Sequence, residues 1–333
     1  MSLENLLSHE KQTTALSQIA GLISWDQEAM MPPKGAHQRA EQAGALAQII
    51  HDRRTDPKIG EWLESIDEKD LSQFDRRNVS EIRRTFDRAT KVPGKLASEI
   101  AIASSKGQQI WAASRKSGKY TDFLPALKRN IELKREEAAC IAGNSDPQSL
   151  YDALLDEFEP GAKTKELSNL LESLRPRLKA LREKIAEKPA PLPLKGVFPA
   201  DRQMKLARKL ATIFGYDFEA GRIDKVVHPF CSGSGDDVRI TTRTDEADPF
   251  NCLYSTIHEV GHALYAQGTP DPFMPAAEYC SMGVHESQSR FWENQIARSD
   301  DFSQWLYPAM VEEFGTMNVD SPEALHAAVN RVE

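Results

Sequence analysis

The sequence predicts a mainly α-helical protein with one small β-structure in its second half. Apolar residues recur at helical spacing up to about residue 190, and prolines and glycines mark the breaks. Between residues 222 and 242, β-branched residues and polar–apolar alternation replace that spacing. Helical spacing then returns at residues 255–265, in a segment with uncharged flanks. These observations favour a large helical fold with a β-hairpin or small sheet beside one buried helix.

The N-terminal region is predicted to be a series of helices joined by short turns. Leu6, Leu16, Ile19 and Ile23 suit the apolar side of a first helix, and residues 31–35 interrupt it with two prolines and a glycine. The next long helices are predicted over residues 96–114, 123–141 and 163–188. A core made largely of packed helices is therefore expected in this part of the chain.

The best candidate boundary in the chain is the proline-rich stretch at residues 189–194, which cannot continue a helix. It separates an N-terminal helical region, residues 1–190, from a second region, residues 191–333. We expect the two regions to form one continuous structural domain. A further helix is predicted over residues 201–214 and ends at Gly215.

Two β-like segments precede the helix at residues 255–265. Residues 222–230 carry branched side chains without a helical period. A turn is predicted over residues 232–236, and residues 237–242 alternate polar and apolar side chains in the way that an edge strand does. Together the segments predict a small hairpin directly before the helix.

The composition indicates a globular protein and disfavours a nucleic acid or a membrane as partner. The 333 residues are 40% hydrophobic and 28% charged, with a formal net charge of -8. No apolar run is long enough to span a membrane, and the first residues do not resemble a signal peptide, so a cytoplasmic location is expected. No C-x-x-C pair occurs among the cysteines, which are expected to be free thiols: Cys140, Cys231, Cys252 and Cys280.

The clearest chemical signal is the HExxH pattern in the helix predicted at residues 255–265. His258 and His262 are four residues apart, so helical spacing puts them one turn apart on one face, where two imidazoles can hold one zinc ion. Glu259 flanks the metal and is placed to take a proton from the water that the metal activates. The alternative is a helix with two core or solvated histidines, and the uncharged flanks disfavour it.

A catalytic zinc ion usually has three protein ligands, so a third ligand is expected elsewhere. The metzincin pattern would need glycine at 265 and histidine at 268, but the sequence has Tyr265 and Gly268. A later carboxylate remains: Glu278 in a proline-rich segment, Glu286 at the start of a helix, or Glu293, which could instead be an outward-facing acid. We favour Glu286, whose polar neighbours could orient it. In the alternative interpretation, Glu286 binds no metal and only stabilises the N-terminus of its helix by interacting with the helix dipole.

Several motifs occur in a defined order along the chain. They are W-D-Q (25–27), M-P (31–32), H-P-F (228–230), D-V-R-I-T (237–241), H-E-V-G-H (258–262) and H-E-S-Q (285–288). In this combination the sequence resembles the carboxypeptidase Taq family of metallocarboxypeptidases. The resemblance covers essentially the whole chain, and the combination is far more specific than HExxH alone, which many zinc peptidases share.

The resemblance implies a large helical zincin-type peptidase fold with a small sheet beside a deep active-site groove. By carry-over from the family, His258, His262 and Glu286 would be the metal ligands and Glu259 the general base. The metal would be Zn²⁺, or in some cases Co²⁺. Members remove C-terminal residues from peptides with broad specificity and tend to be homodimers, so peptide substrates and a homodimer are expected here.

Five further residues fall on the family motifs and are predicted to bind the substrate or to support the ligands. They are His228, Asp237, Arg239, His285 and Gln288. Their side chains could form hydrogen bonds with a bound peptide or with the oxyanion that forms during peptide hydrolysis.

Two motifs that the family carries after this point, I-R-x-x-A-D and G-x-x-Q-D-x-H-W, do not occur in the sequence. They are associated with recognising the terminal carboxylate of the substrate, a role that suits arginine. The leading hypothesis is therefore a metal-dependent carboxypeptidase. Two alternatives stay open: a zinc endopeptidase with an open groove, and an inactive, truncated metal-binding helical protein.

Overall fold

A computed structural model describes residues 2–143, 146–278, 280–315 and 317–332. It confirms the mainly helical fold class and the small sheet. The contacts within the chain divide it into two compact units. Unit 1 is Met1–Glu157 with Thr269–Glu278, and unit 2 is Phe158–Gly268 with Tyr279–Glu333. The division near residue 190 that the proline-rich stretch indicates stays a prediction.

Unit 1 is built from long helices packed side by side. They are α1 (Ser2–Ala29), α2 (Ala36–Arg54), α3 (Pro57–Ser65), α4 (Gln73–Ala89), α5 (Gly94–Ser117), α6 (Tyr120–Ala142) and α7 (Pro147–Phe158). A short 3-10 helix, Pro33–Gly35, occupies the break predicted between the first two helices. One apolar cluster surrounds Leu6 and Ile59, and another surrounds Val92 and Leu133. Of the four residues predicted on the apolar side of the first helix, only Leu6 is buried, and Ile19 is 47% exposed. The periodicity therefore predicted this helix but not its buried face.

Unit 2 contains the remaining helices and the sheet. The helices are α8 (Thr164–Ala186), α9 (Ala200–Phe214), α10 (Pro249–Gln267), α11 (Met282–Arg290), α12 (Asp300–Phe314) and α13 (Pro322–Val329). A π-helix, Phe291–Ile296, follows α11 directly. The main core lies between α9, α10, α12 and α13 and includes Leu206, Ile257, Leu306 and Leu325. None of the described helices combines the length and the apolar character needed to cross a bilayer.

The sheet has three strands, and their order corrects one prediction. The strands β1 (Gly221–Lys225), β2 (Cys231–Ser234) and β3 (Asp237–Thr242) are arranged in the order β1-β3-β2. The strand predicted at the edge, β3, is therefore central: it pairs in parallel with β1 and antiparallel with β2. The hairpin predicted between residues 222–230 and 237–242 is wrong, because β1 and β3 run parallel, and β3 forms its hairpin with β2. Polar and apolar residues alternate in β3 because Val238 and Ile240 are buried in a core cluster with residues of α10. Such alternation shows which face of a strand is buried, but not whether the strand is central or at an edge.

Strand β2 occupies most of the segment that was predicted to be a turn. The predicted turn at residues 232–236 is wrong for its first three residues, which pair with β3, and only Gly235 and Asp236 make the hairpin turn. The glycine and serine content suggested a loop because these residues have low strand propensity. Pairing with the neighbouring strand overrides that local preference.

Helix α10 is the most deeply buried helix of unit 2 and carries the HExxH residues. Asp248 caps its N-terminus by accepting a hydrogen bond from the Phe250 N–H, and Pro249 occupies the first turn. Gly261 faces the backbone of α11: a Cβ built on it would lie 2.6 Å from Cα of Ser289 and 2.8 Å from the Gln288 carbonyl oxygen. Only glycine allows the two helices to approach this closely.

Gly261→Ala should therefore lower stability and disturb the position of α11. Backbone cannot move aside as a flexible side chain can, so we expect a loss of about 1–3 kcal/mol, the usual cost of overpacking. Gly60→Ala in α3 is the control, since its new Cβ would meet only Phe86 at 3.5 Å, an ordinary contact. Thermal unfolding followed by circular dichroism measures both variants. Equal melting temperatures for the two would contradict the close approach at Gly261.

Candidate metal centre

Three donor atoms converge beside α10. Nε2 of His258 lies 3.2 Å from Nε2 of His262. Oε2 of Glu286 lies 3.3 Å from the His262 nitrogen and 3.7 Å from the His258 nitrogen. Tetrahedral zinc with bonds of about 2.0–2.1 Å needs ligand atoms about 3.3 Å apart. This candidate metal site therefore fits a zinc ion, and it is the one such group found among the described residues.

The site depends on how α10 and α11 are built. The two histidines share a face because they are one helical turn apart. Ser281 caps the N-terminus of α11 by accepting a hydrogen bond from the Val284 N–H. The helix therefore begins about two turns before the backbone that contacts Gly261. Glu286 is thereby presented to the histidines from the neighbouring helix.

Glu293 orients the ring of His258. Its Oε2 lies 2.8 Å from Nδ1 of His258, and a carboxylate can only accept, so Nδ1 donates and Nε2 of the neutral ring keeps its lone pair for a metal. Arg290 and Arg298 both donate to the carboxylate of Glu293. The interpretation of Glu293 as an outward-facing acid is wrong, because only 13% of its side chain is exposed.

The position of Glu293 could not be derived from the sequence pattern. The residue lies in the π-helix that follows α11, where the helix is wider than an α-helix. The spacing from Glu286 alone does not reveal that change. The only signal in the sequence was that Glu293 is a carboxylate two helical turns after an expected ligand, Glu286.

Glu286 is held in its ionised form with one oxygen directed to the histidines. Arg290 Nε donates to Oε1 at 2.9 Å, while Oε2 is the atom near the imidazoles. Partial burial alone would raise the pKa of Glu286, but His258 and the Arg290 guanidinium outweigh it and lower the pKa below its usual value. An ionised carboxylate is the form that binds a metal.

The two histidines have opposite pKa shifts. Burial alone would lower the pKa of His258, but its hydrogen bond to Glu293 and the charges of Glu259 and Glu286 raise the pKa above the ordinary value. Burial lowers the pKa of His262 to about 4, and the neighbouring His285 and His258 contribute to that lowering. His262 is therefore neutral at physiological pH, whereas protons compete for His258.

Glu259 lines the groove beside His258 and Glu286, and 6% of its surface is exposed. Burial raises the pKa of Glu259 to about 7; the nearby carboxylates Glu286 and Glu293 contribute, and His258 opposes them. A bound cation would lower this pKa through its charge. In the metal-free protein this carboxyl group therefore exchanges protons near neutral pH, and a bound cation would favour its ionised form, which accepts a proton.

A groove of about 550 Å³ opens beside the three donor atoms. Its polar lining includes His228, which the sequence predicted, and several residues that the sequence did not single out: Arg243, Asn251, Ser255 and Arg298. Arg243 donates from Nε to the amide oxygen of Asn251 at 2.7 Å. Arg243 follows the D-x-R-x-T motif by two residues, so the motif was the signal that could have found it.

The other predicted site residues are placed in different ways. On β3, Arg239 makes a two-pronged contact with Asp237 at 2.7 and 2.9 Å, and neither is among the described residues that line the groove. The ring of His285 stacks on His262 with a centroid distance of 4.5 Å. Gln288 meets Gly261 through its backbone carbonyl. The functional roles of these four residues stay predictions.

Comparison with known proteins places the chain in a family. The profile of the carboxypeptidase Taq (M32) metallopeptidases matches residues 5–333. The chain belongs to the carboxypeptidase Taq (M32) family. The resemblance seen in the motifs is thereby confirmed.

Individual M32 carboxypeptidases and related solved structures are similar over nearly the whole chain. Thermostable carboxypeptidase 1 of Thermus thermophilus is 41% identical over an alignment of 348 positions, which covers 99% of this chain and 68% of the relative. The structure of Trypanosoma cruzi metallocarboxypeptidase 1 superimposes with a TM-score of 0.86 at 33% identity, covering 100% of this chain and 68% of that one. The BsuCP crystal structure gives a TM-score of 0.92 at 29% identity, with 99% and 68% covered. The chain thus spans about two thirds of the length of these proteins.

Glu293→Gln should weaken metal binding while leaving the three donor residues in place. An amide can still meet His258, but it removes the negative charge that orients and strengthens the ligand, a loss of about 10–100-fold in affinity. Competition with a zinc chelator measures the dissociation constant. The exposed Glu219→Gln in the same unit is the control. Equal zinc affinities for the two variants would contradict the orienting role of Glu293.

Zinc affinity should fall with decreasing pH because a proton competes for only one of the two ligating histidines, His258. Its pKa is raised, so competition begins above the ordinary histidine value of about 6.5, and the affinity then drops about tenfold per pH unit. His262, whose pKa is about 4, should add a second proton only in strong acid. Chelator competition between pH 5 and 8 gives the slope. The measurement uses Glu259→Gln, because a bound cation would also displace the proton of Glu259 and add to the slope. A two-proton slope in this variant would show that the histidines are equivalent.

Proposed function

We propose that this protein is a metal-dependent carboxypeptidase that hydrolyses C-terminal residues from peptides with broad specificity. The observation that carries the proposal is the triangle of His258, His262 and Glu286 donor atoms, 3.2–3.7 Å apart, with Glu259 in the same groove. Membership of the M32 family supports the same reaction class. Zn²⁺ is the proposed metal, and Co²⁺ would suit the same nitrogen and oxygen donors.

Glu259 is the proposed general base and acid. A bound divalent ion supplies positive charge that polarises the scissile carbonyl and makes a water molecule more acidic. Glu259 takes a proton from that water and then gives it to the leaving amine. Its burial keeps bulk water away from the carboxylate. The charge of a bound cation would favour the ionised form of Glu259, which is the form that accepts the proton.

The peptide would be held by the polar residues of the groove. Arg290 and Arg298 already donate to carboxylates of the site, whereas Arg243 donates to the neutral amide of Asn251. Arg243 is therefore the groove arginine that we propose for the terminal carboxylate of the substrate. His228 lines the groove and is proposed to form hydrogen bonds with the peptide.

The remaining predicted residues have supporting roles in the proposal. His285, stacked on His262, would limit movement of that ligand. Gln288 would fix the approach of α11, while Asp237 and Arg239 would stabilise β3.

A homodimer follows from the family resemblance. A cytoplasmic location is proposed because the four cysteines are free thiols, as a reducing compartment allows.

The proposed activity predicts a ladder of shortened products from a peptide with a free C-terminus. Mass spectrometry of a mixed-sequence peptide, incubated with the zinc- or cobalt-loaded protein, should show successive losses from that end. The same peptide with an amidated C-terminus is the matched control and should be cut far more slowly. Internal cleavage of both peptides would indicate an endopeptidase instead. Intact peptides with metal still bound would contradict enzymatic activity of this chain.

Glu259→Gln should keep the metal and lose most of the turnover. The amide resembles the carboxylate in size but cannot accept the proton from water, so kcat should fall by about 10²–10⁴-fold, the usual contribution of a general base. Metal content is measured on the same sample to separate catalysis from binding. Normal turnover by this variant would refute the assignment of Glu259.

A further inference from the structure

The segment that follows α11 contains an unusual helical turn next to the metal site. In the π-helix Phe291–Ile296, the N–H of Ala297 donates to the carbonyl oxygen of Trp292, five residues earlier, at 2.9 Å. Turns with this hydrogen bond are rare in proteins and are frequently found at functional sites. The wider turn changes which side chains of the segment share a face.

The side chains that this wider turn brings together are those of Glu293 and Arg298. The two residues are five positions apart, which would place them about 140° apart around a regular α-helix. In the structure, Nη2 of Arg298 lies 3.4 Å from Oε1 of Glu293. The π-helix therefore favours an ion pair that a regular helix would disfavour.

The guanidinium of Arg298 has two further contacts in unit 2. Its Nη1 donates to the carbonyl oxygen of Val329, the last residue of α13, at 2.6 Å. Its central carbon lies 4.7 Å from the centre of the Tyr254 ring, which is a cation–π contact with α10. An arginine presents its donors in a rigid planar fork. The contacts with Val329 and Tyr254 therefore fix the direction in which Nη2 points.

Both groups that hold the guanidinium belong to the buried core of unit 2. Tyr254 and Val329 are buried there. The Tyr254 hydroxyl donates to the carbonyl oxygen of Ala297 at 2.9 Å, directly before Arg298 in the chain. The side-chain amide of Asn330 donates to the carbonyl oxygen of Arg298 at 3.0 Å. Arg298 is therefore anchored through its backbone as well as through its side chain.

The two oxygens of the Glu293 carboxylate have different partners. Oε1 faces Arg298, while Oε2 accepts a hydrogen bond from Nδ1 of His258 at 2.8 Å. A carboxylate that is held at both oxygens cannot turn about its last bond without losing a contact. Arg290 also reaches Oε2, at 3.2 Å, but its side chain is 56% exposed and is shared with Glu286. Arg298 is therefore the partner that holds Glu293 from the core.

We propose that Arg298 is a positioning residue for the metal ligand His258 and acts through Glu293. It fixes the carboxylate so that Oε2 stays at Nδ1 of His258, and the lone pair of Nε2 is then directed to the metal. The inference rests on the metal site of the proposed function, but it does not depend on peptidase activity. Zinc affinity and the tautomer of the imidazole ring are therefore suitable measurements.

Zinc affinity of the full 333-residue protein measures the effect of Arg298→Met. Methionine keeps an unbranched stem but has no donor, so Oε1 of Glu293 loses its ion pair. We expect the zinc dissociation constant to rise about tenfold, the lower end of the loss for a group that supports a metal ligand.

Arg202→Met is the matched control for this substitution. Nη1 of Arg202 also donates to a helix carbonyl oxygen, that of Glu313, at 2.6 Å. Arg202 is not among the described residues that line the groove. The control therefore removes a similar hydrogen bond in unit 2, and its zinc affinity should equal that of the original protein.

A double-mutant cycle separates action through Glu293 from a general effect on the fold. In Glu293→Ala the side chain that Arg298 holds is absent, so adding Arg298→Met should change the zinc affinity by less than about twofold. Arg298→Lys keeps the positive charge but not the planar fork, so it should recover part of the affinity that Arg298→Met loses. Circular dichroism checks that each variant is folded.

The tautomer of His258 gives a measurement that needs no metal. Nitrogen NMR of the metal-free protein, at a pH above the raised pKa of this ring, distinguishes a proton on Nδ1 from one on Nε2. Comparison with His258→Ala assigns the signals. The original protein and Arg202→Met should carry the proton on Nδ1, and Arg298→Met should shift part of the population to Nε2.

Two results would overturn the proposal. The first is a zinc dissociation constant for Arg298→Met equal to that of Arg202→Met. The second is a loss from Arg298→Met that is as large in Glu293→Ala as in the original protein, or a tautomer of His258 that Arg298→Met leaves unchanged. A protein that holds zinc with these differences but hydrolyses no peptide would contradict the proposed function and still support the role of Arg298.

Discussion

The close approach of α10 and α11 at Gly261 is the constraint on which the candidate metal site depends. Because that position has no Cβ, the backbone at Gln288 and Ser289 can lie against α10. Glu286, one turn before this contact, is then within 3.3 Å of His262. The HExxH helix supplies two ligands by its own geometry, but the third depends on this packing between two helices.

The surroundings of the glutamates in the site give their carboxyl groups different pKa values. Burial alone would raise the pKa of Glu293, but its hydrogen bond to His258 and the charges of His258, Arg290 and Arg298 lower it. Glu293 in turn orients His258 and raises the pKa of that ring. Burial, which dominates at Glu259, raises its pKa to about 7. The site therefore combines an ionised carboxylate that can bind a metal with a carboxyl group that can exchange a proton. Their different surroundings produce the two functions.

The helical fold and the HExxH helix could be predicted because periodicity and spacing are local properties of the sequence. The order of the strands could not, since β3 alternates in the same way whether it is central or at an edge. Glu286 was favoured from its neighbours in sequence. Glu293 was misjudged because the spacing from Glu286 does not show whether that face of the helix is covered. Arg243 lies two residues after the D-x-R-x-T motif, but only the folded groove places it in the same lining as His258.

X-ray absorption spectroscopy at the zinc edge is the most direct test that His258, His262 and Glu286 hold one ion. With one equivalent of zinc, we expect four nitrogen or oxygen neighbours at about 2.0–2.1 Å, with the outer scattering of two imidazole rings. His262→Ala should reduce the imidazole signal to that of one ring. A sulfur neighbour at about 2.3 Å, or an imidazole signal that His262→Ala leaves unchanged, would contradict the proposed ligand set.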